Sequence, residues 1–352
     1  MSSRIVIRTP NHLGDCIMAL PMINETREAH PGATVTVLAP ESLAELYEQN
    51  PAIDATIRIP TQHVHGLMAV VKIKEILSRH NFDIGYILPP SFGAAAGFKL
   101  AGIKERVGYI ADGRRLLLTR PFAMPTPLNC QHRSATYFEL LRRAIGRNLE
   151  YTPPRLFLND NDNERAVTVL ADFGLTSGER YACLAFRAVA ESRRWGTANY
   201  AALGKELVVK YDVKVVLIGA AEDTRWGDEI VESVGVARTV NLAGKCSVRE
   251  SAAVMARAQL FVGDDSGPAH MAAATGVPTI VLFGAGDPAE TAPLGEYVRV
   301  ARLAHLECIG CVRNSCPLRG TARMRCMTEL TVPMVMNEVT ALEKRAFGPA
   351  PR

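Results

Sequence analysis

The segment Leu260-Phe-Val-Gly-Asp-Asp-Ser-Gly-Pro-Ala-His270 concentrates chemical groups: two adjacent carboxylates, a serine and a histidine among two glycines and a proline. The apolar residues Leu260–Val262 and Thr279–Phe283 on either side read as buried strands. Pro268–Ala274 reads as a helix that Thr275-Gly276-Val277-Pro278 ends. Such a unit aims the free N–H groups and positive dipole of a helix N-terminus at the carboxyl ends of parallel strands. That is an anion site, and open parallel sheets bind ligands there. The plainer reading is a strand–helix turn capped by Asp265 or Ser266. Taken alone, the segment does not separate the two.

Two other loops have the same form. Thr9-Pro10-Asn11-His12-Leu13-Gly14-Asp15 follows the strand Ile5-Val6-Ile7 and lacks the GxGxxG spacing of a dinucleotide fingerprint. Asp15 is first of all an N-cap candidate, but at a strand's carboxyl end it also suits a general base. Phe186 to Trp195 carries Arg193-Arg194, which can grip a diphosphate or lie as surface charge beside Trp195. Adjacent side chains diverge, so only one of the pair is expected to reach a ligand. Glu222, after Leu217-Ile218-Gly219, favours a positive helix end or a ribose diol, with Asn241-Leu242-Ala243-Gly244-Lys245 then beside the base. His12 and His132 read more simply as structural histidines.

Cysteine usage poses a separate question. Cys16, Cys130, Cys183 and Cys246 are scattered, whereas Cys308, Cys311, Cys316 and Cys326 form a cluster. Four thiols at this spacing favour a structural zinc or iron over disulfides in a reducing compartment. The spacing is not that of a standard zinc finger, and reduced thiols or redox pairing remain open.

The elements that must hold these groups alternate. In the first half, strands at Ile5–Ile7, Thr34–Leu38, Ala55–Ile59 and Ile84–Leu88 are separated by helices over Asp15–Ala29, Glu41–Gln49 and Leu67–His80, with Ala135–Ile145 closing the half. Pro153-Pro154 and the polar Asn159–Asn163 break the pattern, placing a linker near residues 147–158. A second alternation runs through Tyr181–Ala185, Ala198–Lys210, Val213–Ile218, Glu222–Val234, Thr239–Leu242 and Val248–Ala258. Strands alternating with helices argue for parallel sheets, and 352 residues suit two domains. The tail Gly348–Arg352 reads as loose.

Composition narrows the function classes. The net charge is +4, yet residues 99–147 carry ten Lys/Arg against Glu105, Asp112 and Glu139, while residues 151–352 balance at 23 of each sign. The basic stretch is a solvated face or an attraction for an anionic partner such as a phosphorylated lipid or membrane surface. Interleaved aromatics and a nucleic-acid motif are missing, so nucleic acid is not expected. No apolar run is long enough to span a bilayer, and the start lacks a signal peptide's apolar region. The expectation is a cytoplasmic protein, peripheral at the inner membrane.

These pieces, in this order, resemble the ADP-heptose glycosyltransferases of family 9 over nearly the whole chain. The resemblance rests on Leu13-Gly14-Asp15, Arg193-Arg194-Trp195, Asp265-Ser266-Gly267-Pro268-Ala269-His270 and Phe283-Gly284-Ala285-Gly286-Asp287-Pro288. Phe82-Asp83, Leu88–Phe92, Ala101-Gly102-Ile103 and Arg106–Tyr109 look like that family's acceptor domain.

The resemblance implies an α/β GT-B fold: two Rossmann-like domains with parallel sheets facing a central cleft. Residues 1–150 would bind the acceptor and 158–347 the nucleotide-sugar donor. It implies inverting transfer of heptose from ADP-heptose to an anionic lipopolysaccharide inner-core acceptor, with no cofactor required for catalysis. Asp15 matches the catalytic base. Arg193 stands where a Lys usually faces the donor diphosphate, and Ala185-Phe186-Arg187 stands where Pro-Gly-Ala is common. Glu222, Leu242, Asp265, Ser266, Gly267, Pro268 and His270 are the implied donor contacts. His12, Lys99, Arg106, Arg114 and Arg115 are the implied acceptor contacts. A related four-cysteine stretch occurs in some members. The rival readings are a nucleotide-sugar epimerase on the same fold and a non-catalytic nucleotide- or metal-binding module.

Overall fold

The structure, a computed structural model, describes residues 3–125, 131–176 and 178–348. Cys130 and the tail beyond Gly348 lie outside the described residues. The chain divides into two compact units, Met1–Phe157 and Leu158–Arg352.

The first unit runs β1 (Arg4–Arg8), α1 (Leu13–Met18), α2 (Leu20–Ala29), β2 (Thr34–Pro40), β3 (Ala55–Ile59), α3 (Gly66–Leu77), β4 (Ile84–Ile87), α4 (Phe92–Leu100), β5 (Glu105–Tyr109), β6 (Arg120–Phe122) and α5 (Arg133–Ile145). Its strands pair in parallel in the order β3-β2-β1-β4-β5-β6. The sheet core is built from Val6, Leu38, Ile87, Ile73 and Phe98, all essentially sealed from solvent. Gly97 lets α4 lie close on α3, since a Cβ there would stand 2.6 Å from the Ile73 side chain.

The second unit runs α6 (Asp160–Asp172), β7 (Tyr181–Ala185), α7 (Thr197–Tyr211), β8 (Lys214–Leu217), α8 (Thr224–Val234), β9 (Thr239–Asn241), α9 (Val248–Ala256), β10 (Leu260–Asp264), α10 (Gly267–Thr275), β11 (Thr279–Leu282), α11 (Pro288–Thr291), β12 (Val298–Ala301), α12 (Arg325–Thr328), α13 (Val332–Ala341) and α14 (Glu343–Phe347). Its parallel order is β12-β11-β10-β7-β8-β9. Counted from β7, this is the first unit's order again. Both are the Rossmann arrangement, with the strand order reversing between β1 and β4 and between β7 and β10. Phe186, Trp195, Tyr200, Leu217, Val262 and Met327 belong to the second core.

Two local expectations are corrected. The helix expected over Asp15–Ala29 begins at Leu13 and breaks at Ala19, because Pro21 has no N–H to continue the ladder. Glu41–Tyr47 is a 3-10 helix. The polar Asn159–Asn163, which follows the expected linker, caps and opens α6. Asn159 accepts a bond from the Asp162 N–H (3.0 Å), and Asp162 accepts one from the Asn159 N–H (2.8 Å), a reciprocal capping box.

Candidate active site

In the first unit the reversal point falls directly after β1. Arg8, its last residue, is 1% exposed, and burial pushes its guanidinium down to about 10. It donates to the Thr9 carbonyl and to Asn11 Oδ1. The buried Cys16 thiol donates to the Pro10 carbonyl at 3.3 Å, and burial pushes that thiol up to about 12. The loop is thus tied from below by a cation and a neutral thiol.

Above it, Asp15 is the third residue of α1, whose N-cap is His12 with no side-chain bond. The N-cap role expected for Asp15 is therefore not taken. Instead Asp15 Oδ1 accepts from Arg133 Nη1 (3.2 Å) and from the Tyr137 hydroxyl (3.4 Å), both on α5. Its side chain keeps 18% exposure. Burial first, and then the charge of Asp15, pushes the Tyr137 hydroxyl well above its ordinary range, so it stays an O–H donor.

In the second unit the reversal point lies between β7 and β10, and the loops after both strands meet there. Asp264, fully buried at the end of β10, accepts from the Ala188 N–H (3.1 Å), the Trp195 N–H (3.2 Å) and the Tyr200 hydroxyl (2.9 Å). One carboxylate thereby fixes the whole 188–195 loop. Burial pushes it up to about 7 despite those three bonds.

The two adjacent arginines diverge. Arg194 folds back onto the Ala188 and Val189 carbonyls. Arg193 turns to Asp265, with Nη1 3.1 Å from Oδ2 and 3.4 Å from the backbone oxygen. Asp265 is pressed from the other side by Gly286, where a Cβ would stand 2.0 Å from Oδ2; only glycine fits. Ser266 is the N-cap of α10 and makes no side-chain cap bond, its hydroxyl bonding the Asp264 carbonyl at 3.2 Å instead. Gly267 and Pro268 open the helix, and His270 is buried one turn in.

Several expected contacts are relocated or withdrawn. Arg114 is fully buried, with burial pushing it down to about 10, and it bonds the Tyr109 and Pro89 carbonyls. It braces the sheet's carboxyl edge and does not reach an acceptor. Lys99 lies in the last turn of α4 and Arg106 is the second residue of β5, toward the strands' amino ends, whereas Asp15 follows the carboxyl end of β1; Arg106 Nε bonds the Leu117 carbonyl at 2.7 Å. His12 and Arg115 are exposed.

Leu242 is 1% exposed, its N–H and C=O bonded within the unit to Leu217 and Lys245. Glu222 is exposed in a 3-10 turn before α8. Its neighbour Asp223 is the paired acid, 3.0 Å from Arg187, whose guanidinium stacks over Trp226.

The metal expected at Cys308, Cys311, Cys316 and Cys326 finds no support. Among the described residues no three His, Cys, Asp or Glu side chains are grouped to hold an ion. Cys308 and Cys311 are exposed, Cys316 is half-buried and Cys326 is buried; burial first, and then the three neighbouring thiols, push the Cys326 thiol up. The segment serves the loop by backbone contacts: the Ser192 N–H donates to the Asn314 carbonyl at 3.2 Å, and the Val312 N–H to the Ala285 carbonyl at 2.7 Å.

Sequence reasoning missed Arg133, Tyr137 and Asp264. An acid closing an otherwise apolar strand was a usable signal for Asp264, and two polar residues four apart on α5 a weak one for the other pair.

Residues 70–322 match the sequence profile of glycosyltransferase family 9 (heptosyltransferase). Among similar curated proteins, lipopolysaccharide heptosyltransferase 2 of Escherichia coli (strain K12) is 29% identical over 315 residues, covering 85% of this chain and 88% of that protein. Lipooligosaccharide heptosyltransferase 2 of Haemophilus influenzae is 27% identical over 314 residues, covering 87% and 90%. The solved structure of E. coli ADP-heptose lps heptosyltransferase II shares the fold with a TM-score of 0.81 at 24% identity, covering 96% of this chain and 98% of that one. A family 9 structure from Veillonella parvula has a TM-score of 0.83 at 20% identity, covering 97% and 98%.

Proposed function

Because this chain belongs to glycosyltransferase family 9 and is therefore a glycosyltransferase, we propose that it transfers heptose, with inversion, from ADP-heptose to an inner-core heptose of lipopolysaccharide. One observation carries the reading: each unit presents, at its own strand-order reversal, one half of what inverting transfer needs. The first offers Asp15 as a base for the acceptor hydroxyl. The second offers Arg193 and the N-terminus of α10, whose Ser266 makes no side-chain cap bond, for the departing diphosphate.

In the reaction an acceptor hydroxyl gives its proton to Asp15 while its oxygen attacks the anomeric carbon from the face opposite ADP. The bond to the diphosphate oxygen breaks, and the charge it releases is met by Arg193 and the helix N–H groups. Asp265 keeps Arg193 aimed.

Arg193→Ala is expected to raise the donor KM and lower transfer together. A charge-assisted hydrogen bond is worth about 1.5–3 kcal/mol, or roughly 10- to 100-fold. Unchanged donor kinetics would contradict the role.

The acceptor is anionic and lipid-borne in this reading, with the enzyme at the cytoplasmic face of the inner membrane. No helix among the described residues is long and apolar enough to cross a membrane. Leu67, Met68 and Val71 are instead exposed along the first half of α3 (86%, 56% and 57%), a surface that suits peripheral contact. Mass spectrometry of the product, with ADP-heptose and vesicles carrying truncated-core lipid A, tests both parts. The acceptor should gain one heptose and the protein should sediment with the vesicles. Isomerised or free sugar without acceptor gain would favour an epimerase, no product with any acceptor a binding module, and protein left in the supernatant would remove the membrane contact.

A further inference from the structure

We infer that Arg133 and Tyr137 are positioning residues that hold one oxygen of the Asp15 carboxylate so that the other is the oxygen that takes the proton. The inference rests on the reading of Asp15 as the base. Both α5 side chains donate to the same atom, Oδ1, from successive turns of one helix. Among the described residues Oδ2 has no hydrogen-bond partner.

A free aspartate swings about two side-chain torsions, and a base that samples several rotamers spends little time aimed at a substrate hydroxyl. Two donors on one oxygen remove that freedom and leave the second oxygen's lone pairs for the incoming proton.

Their support is itself rigid. The Tyr109 hydroxyl donates to the Thr136 carbonyl at 2.7 Å, and the Tyr151 hydroxyl to Ser134 Oγ at 2.9 Å. These bonds tie α5 to β5 and to the chain after it. The Tyr137 hydroxyl, pushed far above its ordinary range chiefly by burial, remains a proton-bearing donor throughout the working pH range. Arg133 also leaves a cation beside the carboxylate, which orients it while it is ionised.

Steady-state kinetics of Arg133→Ala, Arg133→Lys, Tyr137→Phe and Asp15→Asn, with both substrates varied, tests this. Arg133→Ala and Tyr137→Phe are expected to lower kcat by roughly 10- to 100-fold while both KM values stay within about twofold. Arg133→Lys should recover much of the loss, since it restores one donor and the charge. In the Asp15→Asn background neither change should lower turnover further, because the base they aim is gone.

A rise in KM without a fall in kcat, or losses that multiply with Asp15→Asn, would overturn the positioning role. Full turnover by Asp15→Asn would instead overturn the reading of Asp15 as base, and the inference with it. A misfolded variant would show itself by a lowered Tm, and the lysine substitution, which keeps the charge, decides that case.

Discussion

Asp15→Asn is expected to lose two to four orders of magnitude in transfer rate, the usual worth of a placed general base, while ADP binds as tightly as before. The substitution is nearly isosteric. An amide oxygen can still accept from Arg133 and Tyr137, which now bond Oδ1 at 3.2 and 3.4 Å, so the loop and α1 keep their place. What disappears is an atom able to take a proton from an acceptor hydroxyl. In the proposed reading ADP affinity depends on the second unit, where the Arg193–Asp265 pair is untouched. Parallel measurement of turnover and of ADP binding by calorimetry checks the split. Comparable losses of both would reject the assignment of Asp15.

The largest effect on stability is expected from Arg249→Ala. Arg249, in the first turn of α9, donates from Nε and Nη2 to the two oxygens of Asp162 at 2.6 and 2.5 Å, both side chains less than a tenth exposed. Asp162 also closes the capping box of α6. Removing the guanidinium leaves a carboxylate in the interior, a cost of about 3–5 kcal/mol. For a unit of this size that lowers the Tm by roughly 10 °C. Replacing both partners, Arg249→Met with Asp162→Asn, should recover most of the loss, because no charge is left stranded.

The pH dependence has a definite sign. Burial is the largest single influence on Asp162 and acts upward, but Arg249's hydrogen bonds and charge, with the Asn159 N–H, together hold its carboxyl below the usual range. A carboxyl lowered in the folded state stabilises above its unfolded pKa, about 4, and loses that contribution as pH falls through the folded value. Thermal melts of wild type and Arg249→Ala should therefore differ most near neutrality and converge in acid. A difference that persists unchanged at low pH would show that the pair is not the cause.

Much of this was legible along the chain because it is local. Alternating apolar strands and helical stretches gave the parallel α/β class, and Gly263–His270 gave a strand–turn–helix unit with α10 ended by Gly276 and Pro278. The divergence of Arg193 and Arg194 also follows from local geometry, since consecutive residues cannot aim at one point. Short strands such as β6 and β12 carry too few residues for a period to register. Asn159–Asn163 registered only as a polar stretch for a related reason: the same polar residues serve a loop and a helix cap, and only the α6 that follows distinguishes them.

The sequence by itself determined which residue types stand at the carboxyl ends of β1, β7 and β10, and hence that a base and an anion site were available. Only the tertiary structure decided which partners those residues have. Arg133 and Asp15 are 118 residues apart, Arg249 and Asp162 are 87 apart, and Asp264 fixes a loop some 70 residues earlier. It also sealed the side chains of Arg114 and Leu242 from solvent. The reason is physical. Backbone propensity and hydrophobic period act over a few residues, whereas an ion pair or a sealed side chain depends on which elements a parallel sheet brings side by side, and strand order is set by packing of the whole unit.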